Sequence, residues 1–223
     1  MDIKDKIVLV SGSGNVAQYA CEKLIQLGAK CVSLSDSTGC LIAQNGFTQE
    51  QLEALMEIKN NGRGRCSELI KKYPEIKYYE GKRPWDVFEG HADVILPAAT
   101  QNEVNEEEAR RMVEKCGITM VAEAANMPSE EGAINVYHEK HLLYGPAKAV
   151  NAGGVATSGL EMTQDSMRLQ WDAKKVDDEL HGIMINIFKQ CKDTAEKWGR
   201  PKDYQFGANV AGFLKVADSM IDQ

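Results

Sequence analysis

The stretch Ile7-Val8-Leu9-Val10-Ser11-Gly12-Ser13-Gly14-Asn15-Val16-Ala17 decides the fold of this chain. Its four leading apolar residues read as a buried strand, and the small residues after them as a turn that opens a helix. The spacing is the G-x-G-x-x-G/A pattern of a dinucleotide-binding βαβ unit. Gly12 permits a tight turn, Gly14 lets backbone approach a diphosphate, and Ala17 lets the helix pack closely on the strand. The helix N-terminus then offers free N–H groups and a positive dipole end to an anion.

Outward from this turn, the pattern continues in kind. The helix beginning near Asn15 carries Val16, Tyr19, Ala20, Leu24 and Leu27 at helical spacing and stops at Gly28. A second apolar strand, Cys31 to Ser35, ends in Asp36. An acidic residue about 20 positions beyond the glycines is where such folds hydrogen-bond the adenosine ribose. Thr38 to Phe47, with Gly39 and Asn45-Gly46, suggests a small hairpin. Thr48 with Gln51 three residues later marks the start of a helix reaching about Lys59, and another helix covers Cys66 to Tyr73.

Strands are expected at Ile76–Tyr79, Ala92–Leu96, Ile118–Glu123 and Leu142–Gly145, with helices at Asn105–Lys115 and Ser129–Glu139. Alternating strands and helices predict an α/β, Rossmann-like doubly wound sheet of about six strands. Beyond Gly153-Gly154 the pattern turns helical: Ala156–Gln170, Ala173–Trp198 and, after Gly207, Ala208–Ile221. Residues 1–152 are therefore expected to form the dinucleotide-binding core, and residues 153–223 a helical extension packed on it.

The 223 residues carry a net charge of −7 and are 43% hydrophobic, an ordinary balance for a folded core and a poor one for nucleic-acid binding. No apolar run approaches membrane-spanning length and no apolar signal region opens the chain, so a cytoplasmic protein is expected. Six scattered cysteines without a C-x-x-C pair read as reduced core side chains. His138 and His141 lack a ligand cluster and read as solvated, so no metal site is expected.

Polar side chains gather where the later strands end. Pro97-Ala98-Ala99-Thr100-Gln101-Asn102, Glu123-Ala124-Ala125-Asn126-Met127-Pro128 and Ala147-Lys148-Ala149-Val150-Asn151-Ala152-Gly153-Gly154 each follow a strand. Val155-Ala156-Thr157-Ser158-Gly159-Leu160-Glu161-Met162 then opens a helix. Strand-end loops are where open α/β sheets bind ligands, and small residues beside Asn and Ser suit a flat ring held by amides. Taken singly, each loop is equally well explained by turn chemistry.

Together with the glycine turn, these segments closely resemble the cofactor half of glutamate dehydrogenase, in its hexameric and mostly NADP-linked branch. The resemblance runs over essentially the whole chain, with Gly207-Ala208-Asn209-Val210-Ala211-Gly212-Phe213 similar to that family's C-terminal helix. It implies interconversion of L-glutamate with 2-oxoglutarate and ammonia by hydride transfer, in a homohexamer. It also implies that one strand of the sheet is reversed. By the same resemblance Gly12, Ser13, Gly14, Asn15 and Val16 carry the diphosphate. Ala99, Thr100, Gln101, Asn126 and Asn151 line the nicotinamide and its ribose, Ser158 binds the substrate's side-chain carboxylate, and Val155 packs beside it. The family's catalytic lysine and aspartate belong to an N-terminal substrate domain, and its G-G-x-K-G sequence does not occur here. No catalytic residue is therefore expected in this chain, which resembles a half-enzyme inactive by itself.

Asp36 alone argues for NAD, since a carboxylate ~4 Å from a 2′-phosphate is repelled by about 4 kcal/mol at an effective dielectric near 20. Ser37 can donate to a phosphate, and Lys59, Arg63 and Arg65 bring positive charge. In the family resembled, Ser37, Lys59 and Arg65 fall at phosphate-contacting positions, which favours NADP over NAD. Two other readings compete. One is another amino acid dehydrogenase, against which Ser158 argues; the other is a stand-alone nucleotide-binding protein without catalysis.

Overall fold

The computed structural model describes residues 2–222 and divides them into two compact units, one ending at Leu143 and one beginning at Tyr144. In the first, β1 (Ile7–Val10) pairs in parallel with β2 (Lys30–Cys31) on one side and β6 (Val94–Leu96) on the other. β6 pairs in parallel with β7 (Met120–Ala122), and β8 (Leu143–Gly145), which spans the point where the first unit ends, is the last strand in the five-stranded order β2-β1-β6-β7-β8. Val8, Leu9 and Val10 are fully buried, as a central strand covered on both faces must be.

The antiparallel strands form a separate sheet. β3 (Ser33–Asp36), β4 (Gly39–Ile42) and β5 (Lys77–Glu80) pair in that order, both pairs antiparallel. The expected run Cys31 to Ser35 is thus broken at Val32 between two sheets. Buried serines bridge the break. Ser33 Oγ accepts from the Val10 N–H and donates to the Val10 carbonyl, both at 2.9 Å, and Ser35 Oγ accepts from the Gly12 N–H at 2.8 Å. These side-chain bonds join the backbone bonds from the Val32 N–H to the Val8 carbonyl and from the Ser35 N–H to the Gly12 carbonyl in satisfying the buried backbone there. The hairpin also differs from expectation, turning at Ser37-Thr38 between β3 and β4.

Helix α1 (Asn15–Gln26) buries Ala17, Gln18, Cys21 and Leu24, while Val16, Tyr19 and Leu27 are about half exposed. Leu24 and the small Ala17, which the pattern placed against the strand, are buried as expected, while Cys21 replaces Val16 and Tyr19 on the packed face. Helix α2 (Gln49–Met56) starts at the anticipated Thr48–Gln51 capping box. It does not run on as α-helix to Lys59 but widens into a π turn over Glu57–Asn61. Cys66–Lys71 is a 3₁₀ turn, and a short α3 (Pro84–Val87) was not anticipated. Helices α4 (Glu106–Cys116), capped by Asn105, and α5 (Glu131–Glu139) lie close to their expected places. All six cysteines are buried and free.

The second unit contains α6 (Ala147–Val150), α7 (Ala152–Met167), α8 (Ala173–Lys197) and α9 (Tyr204–Ile221). Gly153-Gly154 and Gly207 lie inside helices rather than before them. At Gly207 an added Cβ would strike the Cys191 carbonyl, so this glycine is a contact point between α8 and α9. Among the described residues no helix is long and apolar enough to cross a membrane.

Candidate functional site

The first unit holds a cleft of ≈ 620 Å³ that begins at the glycine turn and runs past Asp36 and Ser37, walled also by Arg83 and Ala98 to Thr100. That volume is in the range of small-molecule and cofactor pockets. Gly12 has φ +87°, and a Cβ there would lie 2.8 Å from the Ala98 carbonyl oxygen. The turn and the 97–102 loop therefore approach as closely as they do only because residue 12 has no side chain. Around the Cβ position of Gly14 there is open space. Gly14, Asn15 and Val16 line the cleft and are exposed, with the first turn of α1 behind them. The cradle is open where a dinucleotide's diphosphate would sit, so the residues present fit such a group.

At the other end, Asp36 is nearly enclosed, its side chain 7% exposed. Its Oδ1 accepts from the Thr38 N–H at 2.9 Å and the Thr38 hydroxyl at 2.6 Å. Its Oδ2 accepts from the Cys66 N–H at 2.8 Å and the Lys59 ammonium at 3.5 Å. Burial alone would raise its pKa, but the Thr38 and Cys66 hydrogen bonds prevail and hold the carboxyl well below the usual range. Burial pushes the neighbouring Cys66 thiol up to about 12, so it stays protonated. Ser37 is exposed beside it, accepting from Arg65 Nη1 at 3.0 Å.

The structure thus brings Asp36, Ser37, Lys59 and Arg65 together. The π turn does part of this work. Asn60 exchanges amide hydrogen bonds of 3.2 Å with buried Gln18, whose Nε2 also donates to the Ser13 carbonyl at 2.8 Å. The widened turn carrying Lys59 is in this way tied to the glycine turn. π turns recur at functional sites for this reason, since they re-aim a helical side chain.

Ala99 and Thr100 are exposed at the cleft, and Gln101 and Asn126 lie on the two strand-end loops next to it. Those loops are joined by the Asn102 N–H to Met127 carbonyl bond of 3.0 Å and by two bonds from Ala124 and Ala125 to the Pro97 carbonyl. Asn102 and Met127 both have left-handed backbones, at φ +53° and +44°. Such conformations cost of order 1–3 kcal/mol each and cluster at ligand sites. Asn151, Val155 and Ser158 belong to the second unit, where Val155 and Ser158 are exposed on α7.

Sequence reasoning missed Glu103 and Arg83. The Glu103 carboxylate is fully buried beneath the 97–102 loop. Its Oε1 accepts from the Ser11 hydroxyl at 2.9 Å and the Ala99 N–H at 3.0 Å, and Ser11 Oγ accepts from the Ala98 N–H at 2.9 Å. Burial raises its pKa against the hydrogen bonds of Ala99 and Ser11 and the charge of Arg83. The only sequence signal was Glu103 following Thr100-Gln101-Asn102, and Gly81-Lys82-Arg83 standing before a proline.

The family model for glutamate, leucine, phenylalanine and valine dehydrogenases matches residues 1–223. An NADP-specific glutamate dehydrogenase of Giardia intestinalis is 61% identical over 99% of this chain and 49% of its own length. An NAD-specific glutamate dehydrogenase of Bacteroides fragilis is 43% identical over 100% of this chain and 49% of its own. Among solved structures, Plasmodium falciparum glutamate dehydrogenase superposes with a TM-score of 0.95 at 43% identity, over 100% of this chain and 47% of that one. The chain spans about half the length of the curated relatives it matches. A match along the whole chain, together with the glycine turn and the cleft behind it, makes this protein a member of the glutamate/leucine/phenylalanine/valine dehydrogenase family.

Proposed function

We propose that this chain is the NADP-binding half of a glutamate dehydrogenase. Bound NADP would supply the acceptor or donor of hydride in the interconversion of L-glutamate with 2-oxoglutarate and ammonia. Gly12 to Val16 bind the diphosphate through backbone N–H groups, while Ser37, Lys59 and Arg65 hold the 2′-phosphate. Asp36 orients Lys59 and the Cys66 turn instead of reaching for a ribose. In the first unit Ala99, Thr100, Gln101 and Asn126 have the role of lining the nicotinamide and its ribose, and in the second unit Asn151 has the same role by family resemblance. Val155 and Ser158 meet the substrate, Ser158 through its hydroxyl at the distal carboxylate. The groups that move protons belong to the substrate domain of the whole enzyme, a cytoplasmic homohexamer.

One observation carries the cofactor choice. Asp36 spends both carboxylate oxygens on Thr38, Cys66 and Lys59. It is thereby screened by an ammonium, and Ser37, with Arg65 bonded to it, is exposed beside it. A carboxylate so engaged neither serves a ribose diol well nor repels a phosphate at full strength.

The test is calorimetric titration of the chain with NADP and NAD, repeated with Lys59→Ala and Arg65→Ala. Each substitution should weaken NADP about tenfold, the contribution of one charge-assisted hydrogen bond, and leave NAD within twofold. Equal affinity of the unsubstituted chain for both dinucleotides, or variants that bind NADP as before, would reject the phosphate site. Detectable glutamate oxidation by this chain alone would reject the assignment of proton transfer to the substrate domain.

A further inference from the structure

Arg83 stands in the cleft wall, and among the described residues its guanidinium makes ion pairs but no hydrogen bond. Its guanidinium faces the Glu103 Oε2 at 3.7 Å and the Glu108 Oε1 at 3.6 Å, and lies 6.0 Å over the Trp85 ring. Those separations are ion-pair distances, longer than hydrogen bonds. Among the described residues the five N–H donors therefore make charge contacts on one side while the side chain, 45% exposed, opens to the cleft on the other. Arginine in this state suits an oxyanion, because its planar fork can meet two phosphate oxygens at once.

The anchor of Arg83 tells which oxyanion. Glu103 is fully buried and binds Ser11, the residue before Gly12, and Ala99, the residue before Thr100. One carboxylate therefore fixes the glycine turn, the 97–102 loop and the arginine relative to one another. A buried carboxylate needs a cation nearby, and among the described residues Arg83 is the one at ion-pair distance. The 2′-phosphate corner is served separately by Ser37, Lys59 and Arg65, gathered about Asp36.

We propose that Arg83 is a further cofactor-binding residue, which grips the dinucleotide's diphosphate from the wall beside the glycine turn, and that Glu103 is its positioning residue. The inference rests on the dinucleotide reading of the cleft, and it concerns a group that NAD and NADP share. It therefore makes a different demand from the 2′-phosphate site. Loss of Arg83 must weaken both cofactors alike, whereas loss of Lys59 or Arg65 must weaken one.

The experiment is titration of the 223-residue chain and its Arg83→Gln, Arg83→Lys and Glu103→Gln variants with NADP and with NAD, alongside urea unfolding without ligand. Arg83→Gln should weaken both dinucleotides about tenfold and keep their affinity ratio within twofold, while Arg83→Lys recovers part of the loss. Glu103→Gln keeps an oxygen for Ser11 and Ala99 but frees the arginine, and should weaken both about threefold. Unchanged affinities in Arg83→Gln overturn the proposal, and so does a loss confined to NADP, which would move Arg83 to the 2′-phosphate. Should Arg83→Gln fail to fold, Arg83→Lys decides, since full NADP and NAD affinity there removes the need for a fork. If the unsubstituted chain binds neither dinucleotide, the reading of the cleft itself fails. If only Lys59→Ala and Arg65→Ala lose affinity, that reading stands and the role of Arg83 falls.

Discussion

The two ends of the cleft are built by different means. At the glycine turn the surface is backbone: Gly12 is pressed against Ala98, Gly14 faces open space, and the first turn of α1 has no side-chain cap on its N–H groups. At the Asp36 end the surface is side chains, and their charges are arranged before any ligand arrives. Asp36 holds Lys59, and Ser37 is held by Arg65. A backbone surface is intolerant of added atoms, since any Cβ occupies the space the ligand or a neighbouring loop requires. A side-chain surface tolerates truncation sterically and fails electrostatically. Substitutions should therefore act by added atoms at the first end and by lost charge and hydrogen bonds at the second.

The largest effect is expected from Gly12→Ala. Its Cβ would meet the Ala98 carbonyl oxygen at 2.8 Å on a backbone with φ +87°. Left-handed strain and overpacking each cost of order 1–3 kcal/mol, so a loss of about 3 kcal/mol is expected in urea unfolding. Gly14→Ala is its counterpart, with φ −79° and no atom within 4 Å of the new Cβ. It should cost under about 1 kcal/mol of stability, the difference between Gly and Ala as an N-cap, yet obstruct the diphosphate. Equal destabilisation by the two would mean that contact with Ala98 is not what confines residue 12 to glycine.

Next comes Asp36→Asn, which discharges the centre of the side-chain end. Hydrogen bonds to charged groups contribute about 1.5–3 kcal/mol, and the amide would turn an N–H₂ toward either Cys66 or Thr38. A loss of about 2 kcal/mol at pH 7 is expected. The folded-state pKa of Asp36 lies below its ordinary value of 3.8, so its contribution is fully present above that value. It is lost as pH falls through the depressed folded pKa. Urea midpoints of Asp36→Asn and the unsubstituted chain should thus differ equally at pH 7 and pH 5 and begin to converge only as pH falls below 3.8 toward the depressed folded pKa. A gap that stays constant across this range would show that Asp36 acts by shape alone.

The same division governs what could be read in advance. The glycine turn was legible because its requirements are local: a tight turn, an open approach and a small residue in the helix form one short pattern. The Thr48–Gln51 capping box was legible for the same reason. The apolar pattern of α1 placed Leu24 correctly but not Val16 and Tyr19, whose positions on the packed face go to Ala17 and Cys21. The break at Val32 was invisible because Ser33 and Ser35 look alike whether they point to solvent or bond β1. Gly207 shows that a glycine signal has two meanings, a helix boundary or a close contact, and only the neighbouring Cys191 decides between them. Residues Ser37, Lys59 and Arg65 were reached through family resemblance. Their assembly around a carboxylate that is already satisfied depends on the π turn, which no local pattern announced.

The smallest effect is expected from Ser37→Ala, and it separates the two kinds of surface most cleanly. Ser37 is exposed, and its hydroxyl accepts from Arg65 Nη1 at 3.0 Å. Removing an exposed hydroxyl leaves no buried group unpaired, so stability should change by less than about 0.5 kcal/mol. If the hydroxyl also donates to a 2′-phosphate, its loss removes one hydrogen bond to a charged group and loosens the arginine beside it. NADP affinity should then fall about fivefold to tenfold, near the lower end of such bonds, while NAD affinity holds. The direction of any NAD change is the decisive reading. A fall equal to that of NADP would place Ser37 on a group the two cofactors share. A rise would mean that the hydroxyl and Arg65 are set against the bare ribose, so that this end of the cleft selects by exclusion as well as by attraction.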